Sequence, residues 1–353
     1  MIKKSIAVLF GGCSPEYEIS LASASAVIAH MDQSLFQPVL IGISREGDWR
    51  YYPGDVSRIE NDTWQETKCF PACLSPDRSR HELLVFRENE IEHIPIDIVF
   101  PVLHGRNGED GTVQGLCELS GIPLAGCGTL ASALCMDKDR AHKLVSLAGI
   151  RVSASELILP DFSPDQIDAL AEKVGYPLFV KPVKAGSSYG ITKLDARDKL
   201  LDAVKTAFQF DDCVLLEEAI PGFEVGCAVL GNDELITGEP DEIELQDGFF
   251  DYMEKYNLIT SKIHVPARIS KEKALEIKEA GKKIYRVLGC RGFARVDLFL
   301  KPDGELVFNE VNTIPGFTSH SRYPGMMKAA GISFEALISK VISLAENNEG
   351  GRA

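Results

Sequence analysis

Apolar runs of strand length alternate with stretches of helical period along most of the chain. Residues 4–10 and 37–45 read as strands, and 96–103 (Ile-Asp-Ile-Val-Phe-Pro-Val-Leu) is nearly continuously apolar, as in a covered parallel sheet. Gly11-Gly12 turns the chain after the first strand, and Ser14-Pro15 reads as N-cap and first position of a helix reaching about His30. The charged segment between the second and third strands reads as peripheral. Beyond it, 176–182 and 214–219 read as strands separated by a helix at about 196–209. Met136 to Arg140 open another helix, which runs to Leu147 before Gly149. Ser270 opens one whose Ala274, Ile277, Ile284 and Leu288 recur at three-and-four spacing up to Gly289, and a last amphipathic helix spans about Ser333 to Leu344. The pattern predicts an α/β protein with an open parallel sheet first and α+β parts after it.

The most informative stretch is 290–325. Two β-branched and aromatic runs, 293–300 and 304–311, flank Lys301-Pro302-Asp303-Gly304 and predict an antiparallel hairpin. With Leu300 facing Glu305, Asp297 faces Phe308 and Arg295 faces Glu310. Side chains repeat every second residue on a strand, so Arg295, Asp297, Glu310 and Asn312 share one face. Two carboxylates and an arginine are costly to bury there unless they are paired or hold a metal. An Arg295–Glu310 pair on a solvated face is one reading. A metal site is the other, favoured by the donor-rich loop 312–321 that follows directly. Oxygen ligands from Asp, Glu and Asn suit Mg²⁺, which keeps waters and shares its shell with phosphates.

Other candidates carry two readings each. Glu16 lies near the positive end of a helix, where a carboxylate is favoured with or without a ligand. His104, in His-Gly-Arg-Asn-Gly-Glu-Asp-Gly, sits where a strand's carboxyl end meets a glycine-punctuated turn, either as a structural histidine or as a ligand-binding one. The loop Lys184-Ala-Gly186-Ser187-Ser188-Tyr-Gly190 lacks the Walker Gly-Lys-Ser/Thr, yet its small residues can gather N–H groups around a phosphate. Lys181, inside an apolar strand, wants an anion. Glu217 and Glu224, near strand ends, suit nucleotide hydroxyls or a solvated pair. Residues 246–262 form a long polar and aromatic connection, as in a lid.

Composition narrows the class. The 353 residues allow two or three domains, and no apolar run reaches transmembrane length. A net charge of −15 disfavours nucleic acid and anionic membrane surfaces as partners, though not a polyphosphate held by magnesium and local lysines. Nine irregularly spaced cysteines point to reduced thiols in a cytoplasmic protein.

Asp297, Glu310 and Asn312, with Arg295 ahead and Pro315-Gly316-Phe317-Thr318 behind, resemble the metal-binding strands and substrate loop of the ATP-grasp D-alanine–D-alanine ligase family. The Gly-Gly-x-Ser-x-Glu and His-Gly-x-x-Gly-Glu-Asp-Gly sequences extend the match over nearly the whole chain. The resemblance implies three parts: 1–127 with the first substrate's site, 128–220 with a phosphate loop, and 221–353 with an omega loop and the metal site. It implies ATP and two Mg²⁺ (or Mn²⁺) ions as cofactors, and a homodimer. It also implies that Asp297, Glu310 and Asn312 bind metal, and that Lys138, Lys181, Ser188, Glu217, Glu224 and Lys255 bind nucleotide. Glu16 would hold the ammonium group of the first amino acid, and His104 would lie beside its carboxylate. Ser187 and Tyr256 would link that site to the closed lid, Arg295 and the Gly316 N–H would stabilise an oxyanion, and Ser321 would anchor the second carboxylate. Arg322, with Asp241 and Phe250, most resembles the D-alanine–D-serine ligases of the vancomycin-resistance group. D-alanine plus D-serine is therefore the expected substrate pair, with a housekeeping D-alanine–D-alanine ligase as the alternative. Another ATP-grasp carboxylate–amine ligase and a non-catalytic nucleotide-binding regulator are the wider rivals.

Overall fold

The computed structural model describes residues 3–187, 189–245 and 261–346. Seven strands, β1 (Lys4–Gly11), β2 (Phe36–Ile43), β3 (Trp49–Tyr51), β4 (Phe70–Leu74), β5 (Glu82–Phe86), β6 (Ile91–Pro95) and β7 (Ile98–Pro101), form one sheet in the order β6-β5-β4-β3-β2-β1-β7. Only β2, β1 and β7 are mutually parallel, as their continuous apolar runs predict. The segment expected at the periphery instead extends this sheet by four antiparallel strands. It also supplies Tyr52 and Trp64, both fully buried against Phe10. The charges there hid a strand pattern that is apolar on one face only.

Four antiparallel strands, β8 (Ser155–Ile158), β9 (Leu178–Pro182), β10 (Thr192–Leu194) and β11 (Val214–Glu218), make a second sheet in the order β10-β9-β11-β8. Helices Pro164–Val174 and Leu200–Ala207 cover it. The third sheet holds β12 (Phe223–Leu230), β13 (Ile236–Thr237), β14 (Asp241–Leu245), β15 (Ser261–His264), β16 (Phe293–Leu300) and β17 (Leu306–Asn312), in the order β15-β14-β12-β16-β17 with β13 beside β12. Helix Lys271–Val287, capped by the Ser270 hydroxyl, packs Ile277 and Ile284 onto this sheet. The last helix, Phe334–Glu346, crosses back to the first sheet and buries Leu337, Ile338, Val341 and Ile342 there.

The hairpin β16–β17 forms where expected, in a different register. Gly304 adopts φ +87°, which makes Pro302-Asp303-Gly304 a three-residue loop closed by the Lys301 N–H donating to the Glu305 carbonyl. Leu300 therefore pairs with Leu306 rather than Glu305. That one-residue slip alone would send Glu310 and Asn312 to the opposite face from Asp297. A β-bulge restores them: Leu298 pairs with Phe308 but Asp297 pairs with Glu310, so Asn309 is the extra residue. Arg295 then stands opposite Asn312. The two shifts cancel in parity, and the shared face survives with closer pairs than predicted. On the other face Val296, Leu298, Leu306, Phe308 and Val311 enter the core.

Helix Tyr17–His30 begins later than Ser14-Pro15 predicts, with Glu16 in the N-cap position and without a side-chain cap. The Ser14 hydroxyl accepts from the Glu16 N–H at 3.1 Å, closing a tight turn before the helix rather than capping it.

Phe308→Ala should cost about 3–5 kcal/mol of stability in urea unfolding, because the ring is fully buried. Asn309→Ala should change it by less than about 1 kcal/mol, since the bulge is a feature of the backbone.

Candidate active site

A cavity of about 450 Å³ opens where the three sheets meet. Glu16, His104, Lys138, Ser187, Arg295, Glu310, Asn312, Gly316, Ser321 and Arg322 all line it. They come from six separate stretches of chain, which the fold brings to one place. A Cβ on Gly186 would stand 3.0 Å from Glu16 Oε2, so the candidate phosphate loop touches the first part of the chain directly. Ser187 there adopts φ +49°, an uncommon value for a residue other than glycine. Ser188, Phe250, Lys255 and Tyr256 lie outside the described residues.

The metal-ligand candidates converge. Asn312 Nδ2 donates to Asp297 Oδ2 at 2.9 Å, and Glu310 is the cross-strand partner of Asp297. Asp297 does not itself line the cavity: Arg295 covers it with a forked contact, Nε and Nη2 donating at 2.8 and 2.7 Å. Lys138 Nζ lies 4.0 Å from Glu310 Oε2 and donates to the Ala185 carbonyl at 2.9 Å, tying helix Lys138–Leu147 to the loop. Among the described residues no group of three or more His, Cys, Asp or Glu side chains is arranged to hold a metal ion by itself. Two carboxylates and a carboxamide fit a hard cation that completes its shell with water or phosphate oxygens, as Mg²⁺ does.

Lys181 and Glu217 lie outside the cavity lining and form a buried ion pair at 2.6 Å. Burial pushes the Glu217 carboxyl up, but Lys181, His142 and Lys138 more than offset it, leaving a net lowering. Glu224 and Asp241 also stand behind the wall, both bound to Arg322. Its Nε and Nη2 donate to the two Asp241 oxygens at 2.7 and 2.9 Å, and Nη1 donates to Glu224 at 2.6 Å. Asp241 is fully buried, and Gly226 is what leaves room for the pair, since a Cβ there would meet Asp241 at 2.4 Å and Arg322 at 2.7 Å. Burial opposes ionisation of Asp241, yet Arg322 outweighs it and the carboxyl sits below its usual range. Its stabilising contribution is therefore complete above the ordinary aspartate range, about pH 4, and is lost as pH falls through the lowered value.

His104 is buried, and its Nε2 has no hydrogen-bond partner among the described residues. Desolvation is the largest effect on the ring and lowers its pKa despite nearby Glu16. The structure adds Glu109, to which the sequence gave no role. Its two oxygens accept from the Gly105 and Ile314 N–H groups at 2.8 and 3.1 Å, joining the His104 turn to the loop after β17. Burial first, then Glu16, raises its pKa to about 8. The carboxylate falls in the glycine-punctuated turn after His104, but nothing local marks it as the residue that turns inward. Ser321 Oγ accepts from the Thr318 N–H at 3.0 Å, which shapes the loop around Gly316.

These features define an enzyme cleft of ATP-grasp type, and comparison with known proteins identifies the family. Residues 5–127 match the family described as "D-ala D-ala ligase N-terminus", and residues 144–343 match "D-ala D-ala ligase C-terminus". The chain is 47% identical to the vancomycin B-type resistance protein VanB of Enterococcus faecalis, over 98% of this chain and 99% of that one. It is 46% identical to a D-alanine–D-alanine ligase of Caldicellulosiruptor bescii, over 98% and 96%. The crystal structure of the VanG D-Ala:D-Ser ligase from Enterococcus faecalis superposes with a TM-score of 0.91 at 55% identity, covering 98% of this chain and all of that one. This chain belongs to the D-alanine–D-alanine ligase family. Members are ATP-dependent ligases that generally use Mg²⁺. No helix among the described residues is long and apolar enough to cross a membrane.

Arg322→Met removes the guanidinium that neutralises the buried Asp241 and should cost about 3–5 kcal/mol of stability. Adding Asp241→Asn should recover part of that loss, read as the difference in urea midpoint between the single and double variants.

Proposed function

We propose that this chain joins D-alanine to D-serine at the expense of ATP, making a peptidoglycan precursor terminus that vancomycin binds less well. The observation that carries the choice of D-serine is Arg322, a buried guanidinium in the cavity wall next to Ser321, held rigid by Asp241 and Glu224. Of its five N–H groups three donate to those carboxylates and one more faces Asp297 at 3.4 Å. Among the described residues nothing pairs with the fifth, which would be left to a hydroxymethyl side chain, a contact that a methyl group cannot make. The VanG relative, described as a D-Ala:D-Ser ligase, supports the same choice.

The reaction needs two displacements. A carboxylate oxygen of D-alanine attacks the terminal phosphorus of ATP, and ADP leaves. The neutral amine of the second amino acid then attacks the carbonyl carbon of the D-alanyl phosphate, phosphate leaves with its bonding pair, and the nitrogen gives up one proton to the departing phosphate or to water. Glu16 holds the first ammonium group, and His104 faces the adjoining carboxylate. Lys138 neutralises phosphate charge beside the loop at Ser187; for Lys181 and Glu217, which pair with each other, and for Glu224, which binds Arg322, nucleotide contacts are what the resemblance implies, as they are for Ser188 and Lys255 outside the described residues. Asp297, Glu310 and Asn312 would hold magnesium, which neutralises phosphate oxygens as charge moves between them. Arg295 and the Gly316 N–H stabilise the tetrahedral oxyanion, and Ser321 anchors the second carboxylate. For Tyr256 and Phe250, which lie outside the described residues, the resemblance implies a role in keeping water from the acyl phosphate.

One hydroxyl contact is worth about 0.5–1.5 kcal/mol net and up to about 3 when charge-assisted, so selectivity is expected to be partial, near tenfold. With ATP and equal D-alanine, D-serine and D-lactate, D-alanyl-D-serine should be the main product. Arg322→Met should move the ratio toward D-alanyl-D-alanine; an unchanged ratio removes Arg322 from the account. A wild-type product that is chiefly D-alanyl-D-alanine would instead point to the housekeeping ligase, the reading favoured by the Caldicellulosiruptor relative. Glu310→Gln should abolish D-alanyl phosphate formation, followed by positional isotope exchange in ATP, with its melting temperature close to that of the wild type.

A further inference from the structure

We propose that His142 is a positioning residue for the metal site, acting through the bulge at Asn309. This rests on the reading of Asp297, Glu310 and Asn312 as the metal ligands. The His142 ring is buried at 3% exposure, and its Nε2 lies 2.7 Å from the Asn309 carbonyl oxygen. A carbonyl only accepts, so Nε2 carries the hydrogen. Asn309 is the residue whose insertion returns Glu310 and Asn312 to the face of Asp297. A bulged residue falls out of the regular ladder, and its backbone groups need other partners. His142 provides one, and its neighbour is fastened too: the Phe308 N–H donates to the Arg151 carbonyl at 2.8 Å, and the Phe308 ring stands edge-on to His142 at 5.2 Å.

His142 follows Lys138 by four residues on helix Lys138–Leu147, so both point from one helix face. One side chain approaches the Glu310 carboxylate, and the other grips the backbone immediately before it. The helix thereby sets where Glu310 sits and how far its cation stands from it. Without the Nε2 contact the bulged carbonyl loses its anchor on the helix, and Glu310, the next residue, is held less firmly opposite Asp297. Nδ1 of the same ring is buried without a partner among the described residues. Packing alone would be served as well by leucine, without a stranded nitrogen. What leucine would lack is the donor at Nε2.

The test is binding of Mn²⁺ with ADP to the full chain, followed by the water-proton relaxation enhancement of protein-bound Mn²⁺ over a protein-free Mn²⁺–ADP blank. His142→Leu should weaken Mn²⁺ binding by about 10–100-fold, the scale of lost outer-shell contacts. His142→Gln, whose Nε2 can reach the same carbonyl, should stay near the wild type even where its melting temperature falls as far as that of His142→Leu. If His142→Leu does not fold, His142→Asn, whose amide stops short of Asn309, replaces it with the same expectation. Wild-type Mn²⁺ affinity in the variant lacking the donor overturns the proposal, as does equal weakening in His142→Gln. Glu310→Gln separates the two readings. If it loses Mn²⁺ while the His142 variants keep it, only the positioning role falls; if wild type itself fails to bind Mn²⁺ with ADP, the metal reading falls with it.

Discussion

The site depends on a parity constraint in one hairpin. Alternate residues of a strand face opposite sides, so Asp297, Glu310 and Asn312 can meet only if the register between β16 and β17 is right to the residue. The three-residue turn at Gly304 moves the register by one, and the bulge at Asn309 moves it by one again. Either shift alone would drive Glu310 and Asn312 into the apolar layer occupied by Leu298 and Phe308 and bring core side chains to the cavity. Burial of that apolar layer and convergence of the polar face are thus the same structural fact. The packing that stabilises the hairpin also selects the arrangement in which Glu310 and Asn312 face the cleft.

Around those oxygens the chain gathers cations. Arg295 covers Asp297, Arg322 joins Asp241, Glu224 and Asp297, and Lys138 approaches Glu310. Buried carboxylates this close would repel one another and take up protons if left unpaired. Interleaved guanidinium groups keep Asp241 ionised although it is fully buried. Glu109 shows the other outcome. Two backbone N–H groups face it but burial and Glu16 dominate, and its pKa rises to about 8. The same region therefore holds some carboxyl groups as anions and lets another keep its proton near neutral pH.

Much of this was legible in the sequence because periodicity reports burial directly. The runs at 4–10 and 96–103 gave the parallel strands, and the alternation of Arg295, Asp297, Glu310 and Asn312 gave the shared face. What escaped was what periodicity does not encode. The turn type at 301–305 hinges on the backbone angle of Gly304, and the bulge at Asn309 leaves no local signature, so the predicted pairing was wrong while its parity was right. Strands 49–95 were missed because one of their faces is solvated and charged. Arg322, Asp241 and Glu224 lie far apart in the chain, and only the fold reveals that they are one ion cluster, with Glu224 bound to Arg322. Lys181 and Glu217, both placed at the nucleotide by the resemblance, neutralise each other here across adjacent strands.

The central claim is that Asp297, Glu310 and Asn312 hold one divalent cation on the cleft side of the hairpin. The most direct measurement is anomalous diffraction from crystals of the protein grown with Mn²⁺ and ADP. The account predicts a manganese peak within bonding distance of oxygens from Glu310, Asn312 and Asp297, with Arg295 drawn away from Asp297. A nucleotide bound in the cleft with manganese elsewhere, or with those three side chains turned to other partners, would contradict it.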